Sequence, residues 1–106
     1  MFIYHIVLPE TWELIKDQST YSAESLDTEG FIHCSYDHQL GGVLQRYYKD
    51  AGSVVVLKID VAKLTSKLVS EPSTGGEAYP HIYGPINMDA VVGNEELSVR
   101  QRTSVE

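Results

Sequence analysis

The run Val54-Val55-Val56-Leu57-Lys58-Ile59-Asp60 constrains this chain more than any other segment. It is apolar nearly throughout, so residues on both of its faces call for burial. A strand covered on two sides meets that demand. At 106 residues the chain has room for one core and one cleft, burying roughly 60–70% of its unfolded surface. With 42% hydrophobic and 22% charged residues it is an ordinary globular composition, which excludes global disorder and fibrous architectures. One cysteine, Cys34, means that no internal disulfide staples the fold.

Other elements follow from pattern. Phe2–Leu8 is β-branched and aromatic, and reads as a central strand buried on both faces. Pro9 opens a helix that ends near Asp17, with Leu8, Trp12 and Ile15 along one side. Gln18–Gly30 is a polar loop with a turn of helix around Ala23–Leu26. Phe31–Ser35 is a short strand with Phe31, His33 and Ser35 on one face. Asp37–Lys49 is the strongest helix, since Leu40, Val43, Leu44, Tyr47 and Tyr48 form one stripe. Gly41 and Gly42 oppose it, at about 1 kcal/mol each relative to alanine, and point to close packing against another backbone. Val61–Leu64 reads as a helical turn, Lys67–Glu71 as a weaker strand and Pro72–Gly76 as a loop. Glu77–Pro85 is an aromatic segment, and Met88–Val92 is the last core strand. The chain is polar from Gly93 onward, so residues 1–96 read as one domain and 97–106 as a polar tail, frayed over Arg100–Glu106. Five or six strands and two main helices, without regular alternation, make the fold α+β.

Eight basic and 15 acidic residues leave a net charge of −7. That balance disfavours nucleic acid and anionic membranes as partners. MFIYHIVLPE lacks a basic segment and a cleavage site, so no secretory signal is expected there. No apolar run approaches the ~20 residues of a membrane span. The expected location is cytoplasmic.

Gly75-Gly76 lacks a following Lys-Ser/Thr, so neither a phosphate loop nor a dinucleotide fingerprint is present. Cys34, beside Ile32, reads as a small buried hydrophobe. The histidines carry more information. His5, His33 and His81 all fall on predicted strands, whereas His38 lies on the outer side of a helix start. None has close ligand spacing to another, so no metal site is expected. Each alone reads as a core histidine satisfied by carbonyls. Three on three strands point instead to one cleft. His33 and Ser35 share a face, as do His81 and Tyr83, and Glu77 stands four residues before His81. Imidazole, phenol and carboxylate together suit a ribose and an aromatic base.

These segments resemble a known family. Tyr4-His5-Ile6, Glu29-Gly30-Phe31-Ile32-His33-Cys34-Ser35 with Gln39, Val56–Asp60, Gly76–Ile86 and Asp89-Ala90-Val91 are similar to the bacterial domain of unknown function 952, over about residues 2–92. The resemblance implies an ADP-ribosyltransferase-like fold, with small, twisted, mostly antiparallel sheets and two main helices. It also implies NAD or a related nucleotide as ligand. Under it, Tyr4 and His5 form the first motif and His33 with Ser35 the second. Glu77 is the nearest candidate for the third, with His81 and Tyr83 as competitors. The implied reaction displaces nicotinamide from the anomeric carbon through an oxocarbenium-like transition state. No Arg or Lys lies inside any of these three motifs; the chain's arginines are Arg46, Arg100 and Arg102. Three readings stay open: a transferase with His33, Glu77 and His81 as its catalytic set and Tyr4, His5, Ser35 and Tyr83 around the ligand, a non-catalytic nucleotide- or small-ligand-binding module on the same cleft, and a protein-interaction domain.

Overall fold

The computed structural model describes residues 1–99. Its centre is β4 (Ser53–Asp60), which lies between β1 (Phe2–Val7) and β8 (Val91–Ser98) in an antiparallel sheet. The apolar run is buried on both faces, as its pattern requires. Val54 and Val56 face Ile6, Leu44 and Val99, whereas Val55 and Leu57 pack with Val7 and Trp12 on the other side.

A second sheet, in the order β3-β6-β5, holds β3 (Ile32–His33), β6 (Ala78–Tyr83) and β5 (Lys67–Pro72). A two-stranded pair joins β2 (Thr20–Tyr21) to β7 (Ile86–Asn87). The larger sheets meet at one point, where Tyr4 and Ser35 exchange backbone hydrogen bonds of 2.8 and 2.7 Å. Around that seam Ile3, Ile32, Ile59, Ile82 and Ile86 form a core cluster in which each is fully buried. Three short helices complete the fold: α1 (Pro9–Ile15), α2 (Glu24–Glu29) and α3 (Leu40–Tyr47). The architecture is α+β with antiparallel sheets. None of the helices among the described residues is long and apolar enough to cross a membrane.

Several expectations need correction. β1 is an edge strand and not a central one, and its terminal Phe2 and the following Leu8 are exposed. Among the described residues there are eight strands and three helices, because β2 and α2 occupy the stretch read as a polar loop and β7 follows the aromatic segment. The long helix starts as a 3-10 turn over Asp37–Gln39 and stops at Tyr47. Met88–Ala90 is also a 3-10 turn, and the last strand runs on through the polar stretch to Ser98. β8 is an edge, so its outward side chains meet solvent and tolerate Asn94, Glu95 and Glu96. Val99 is buried beneath it, so packing continues past residue 96. Gly41 and Gly42 meet no foreign backbone: a Cβ at Gly41 would touch nothing, and one at Gly42 would touch the Arg46 guanidinium. The segment Arg100–Glu106 lies outside the described residues.

Candidate functional site

α2 ends at Gly30, whose φ of 89° is the left-handed conformation that glycine adopts freely. Its N–H donates to the carbonyls of Ser25 and Leu26, both at 3.1 Å, and the chain turns at once into β3. The turn folds Glu29 back over His33, and His33 Nε2 lies 3.1 Å from Glu29 Oε1.

The β3–β6 register sets His33 opposite His81. Their rings are 5.5 Å apart at 79°, and Phe31 stacks on His81 at 4.1 Å. The His81 Nδ1–H donates to Glu71 Oε1 of β5 at 2.8 Å, and the Tyr83 hydroxyl donates to the same oxygen. The Tyr83 bond first, and the His81 bond second, hold the Glu71 carboxyl below its ordinary range.

His5 comes from β1 and is 8% exposed. Its Nδ1 lies 2.6 Å from the His33 carbonyl, which only accepts, so the proton sits on Nδ1 and the lone pair on Nε2. Burial pushes the His5 pKa down to about 4, against a partial offset from that carbonyl bond, and nearby His33 lowers it further. His5 is therefore a neutral acceptor at physiological pH. Among the described residues, Nε2 of His5 and Nε2 of His81 are the buried side-chain polar atoms without a partner.

A cleft of about 600 Å³ opens where the two sheets part. That volume lies within the usual range for small-molecule sites. Tyr4, His5, His33, Ser35 and His81 line it, so five of the seven expected site residues come together. Around them stand Tyr21, Tyr47, Tyr48 and Tyr79, with Glu29 and Arg46 as the charged groups. Cys34 also contributes, but burial pushes its thiol pKa up, which makes it a poor nucleophile.

Two expected residues lie elsewhere. Glu77 is outside the cleft: its Oε2 accepts from Gln39 Nε2 at 3.0 Å and stands 3.6 Å from His38 Nε2. The strand geometry explains this, because residues four apart in an extended chain are ~13 Å apart. Tyr83 is 41% exposed and acts on Glu71 rather than on the cleft. The carboxylates at the histidines are instead Glu29 and Glu71. Glu29 was legible as the i−4 neighbour of His33 across Gly30, whereas Glu71 reaches His81 through strand register alone. Among the described residues no cluster of three His, Cys, Asp or Glu is arranged to hold a metal ion.

The chain belongs to DUF952, a family described as protein of unknown function, whose model matches residues 6–94. Its fold is similar to that of protein CC0527 from Caulobacter crescentus. The crystal structure of that protein is 26% identical, with a TM-score of 0.82, over 92% of this chain and 87% of that one. A crystal structure of a double mutant of CC0527 is 25% identical with a TM-score of 0.81, over the same shares of both chains. The solution structure is 26% identical with a TM-score of 0.79, over 92% of this chain and 84% of that one. No curated protein matches the chain.

Proposed function

We propose that the cleft is a nucleotide-binding site of the ADP-ribosyltransferase type, taking NAD or a related nucleotide in a cytoplasmic setting. One observation carries this reading: three imidazoles from three strands converge on a single tyrosine-rich cleft. Tyrosine rings stack on a base, and neutral imidazole nitrogens accept hydrogen bonds from ribose hydroxyls. The pairing of Tyr4 with Ser35 supports it too, since it draws the Tyr4-His5 and His33-x-Ser35 segments together. The test is thermal unfolding with NAD, ADP-ribose, AMP and adenosine. A ligand at a hundredfold excess over its dissociation constant adds ~2.7 kcal/mol to the native state. Protection that is reduced in His33→Ala is expected. The absence of protection by every nucleotide returns the domain to the protein-interaction reading.

A second reading, turnover, is favoured by the carboxylate that orients each member of the His33–His81 pair. In it the bond from the anomeric carbon to the nicotinamide nitrogen breaks and its electron pair leaves with nicotinamide. An acceptor nucleophile forms the new bond and gives its proton to the imidazole of His33, the exposed member of the pair. Glu29, on the cleft wall, replaces Glu77 as the negative charge beside the oxocarbenium-like centre. Nicotinamide release from NAD by the wild type, lost in Glu29→Gln and kept in Glu77→Gln, is the expected pattern. No release with any acceptor removes turnover and leaves binding.

A further inference from the structure

Arg46 is the one arginine among the described residues, and it stands where two hollows meet. The first is the histidine cleft. The second, of about 530 Å³, is lined also by Pro9, Glu10, Lys49 and Asp50. Leu8, Arg46, Tyr47 and Tyr48 belong to both. Arg46 is exposed on the helix, yet its guanidinium is held in place. Nη2 donates to the Tyr79 hydroxyl at 2.7 Å, and the guanidinium carbon lies 5.7 Å from the Tyr47 ring centre. Gly42 leaves room beneath it: a Cβ there would come within 3.1 Å of Nη1. Among the described residues Arg46 makes no ion pair with a carboxylate, although the chain carries a net charge of −7. A cation fixed by phenols keeps its charge available to an incoming anion.

We propose that Arg46 is the anion subsite of a two-lobed site, and that the ligand is a dinucleotide-type molecule with two ring-bearing halves joined by a pyrophosphate. One half occupies the histidine cleft and the other the second hollow, with the pyrophosphate on Arg46 at the ridge between them. This rests on the nucleotide reading above and names the ligand's subclass. Gly42, Tyr47 and Tyr79 are positioning residues. They act by holding the guanidinium in place, Tyr47 and Tyr79 from the cleft wall and Gly42 from beneath.

The experiment compares adenosine, AMP, ADP-ribose, NAD and inorganic pyrophosphate by titration calorimetry on the wild type, Arg46→Gln, Tyr79→Phe and Gly42→Ala. ADP-ribose and NAD are expected to bind at least about tenfold more tightly than adenosine, and Arg46→Gln to remove about that factor while leaving adenosine unchanged. Gly42→Ala gives a split that a merely structural role would not. Alanine favours the helix and raises the melting temperature, while the displaced guanidinium lowers dinucleotide affinity. Equal affinity for adenosine and ADP-ribose, or an unchanged Arg46→Gln, overturns the subsite and leaves the nucleotide reading standing. If no nucleotide binds, the nucleotide reading fails and pyrophosphate decides the rest. Pyrophosphate binding lost in Arg46→Gln retains the anion subsite alone, and its absence in the wild type removes that as well.

Discussion

His33 and His81 are direct partners across the β3–β6 pair, yet one is exposed and the other is 4% exposed, and each is tied to a different carboxylate. The sheet sets their spacing, and the carboxylates set their orientation. Glu29 reaches His33 from a helix end, and Glu71 reaches His81 from the neighbouring strand β5. Glu71 accepts from His81 Nδ1, which fixes that tautomer and leaves the lone pair on the buried Nε2, whereas Glu29 meets His33 at Nε2 and leaves Nδ1 as its second nitrogen. Two strands thus present histidines with distinct roles, one at the mouth and one at the wall.

The Glu71–His81 bond makes a spectroscopic prediction. In the wild type the His81 side chain should show the Nδ1–H form in nitrogen NMR, with a free Nε2 lone pair. Glu71→Leu removes the acceptor of both His81 and Tyr83, so the His81 ring should shift toward the Nε2–H form. An identical tautomer in both proteins would show that the carboxylate does not orient the ring.

Gln39 predicts where the stability around Glu77 resides. It is 5% exposed and makes three bonds: its Oε1 accepts from the Tyr36 N–H at 2.9 Å, and its Nε2 donates to Glu77 at 3.0 Å and to the Ala78 carbonyl at 2.8 Å. Gln39→Leu leaves two backbone groups without partners and should cost about 2–4 kcal/mol in urea unfolding. Glu77→Gln keeps an oxygen for Gln39 and should change both stability and ligand affinity little. A large loss of binding in Glu77→Gln would restore Glu77 to the functional set.

Gly84 joins β6 to the turn before β7, with a φ of 155°. A Cβ there would overlap Ser66 Oγ, which itself donates to the Pro85 carbonyl at 2.7 Å. Gly84→Ala should therefore cost about 2–3 kcal/mol from strain and overpacking together. Adding Ser66→Gly should recover the overpacking share and leave the backbone share. Full recovery would mean that the φ angle carries no cost.

The parts of this fold legible in sequence are those with a periodicity that burial enforces. Val54–Asp60 is covered on both faces, and its apolar run admits no other placement. Alternation also put His33 and His81 on one side of a sheet, because side-chain direction repeats every two residues. β8 was hidden because Gly93–Ser98 faces solvent over much of its length and obeys no burial pattern. Glu71 was hidden for a different reason. Its approach to His81 depends on the β5–β6 register, in which Val69 is opposite His81 and Glu71 is the diagonal neighbour. Glu77 looked closer in sequence than Glu71, but an extended chain carries it away. Tyr47, read as part of the buried stripe of α3, is 63% exposed and stands at the cleft mouth.

His5 gives the sharpest pH prediction. Its folded pKa of about 4 lies below the ordinary 6.5, so the unfolded chain binds the proton more readily than the native one. Stability from this group is fully present above pH 6.5 and is lost as pH falls toward 4. Between pH 7 and pH 5 the loss should be about 2 kcal/mol. The low pKa of Glu71 acts in the same direction, but only as pH falls below its ordinary value of 4.5, outside that window. The diagnostic variant is His5→Asn, whose side-chain amide can still donate to the His33 carbonyl but does not titrate. It should be less stable than the wild type at pH 7, because the smaller side chain leaves a void beside Tyr21. Its urea midpoint should nevertheless change much less between pH 7 and pH 5, so the two proteins converge on acidification. Parallel pH profiles would place the acid sensitivity on another group and would remove His5 as a buried neutral acceptor in the cleft.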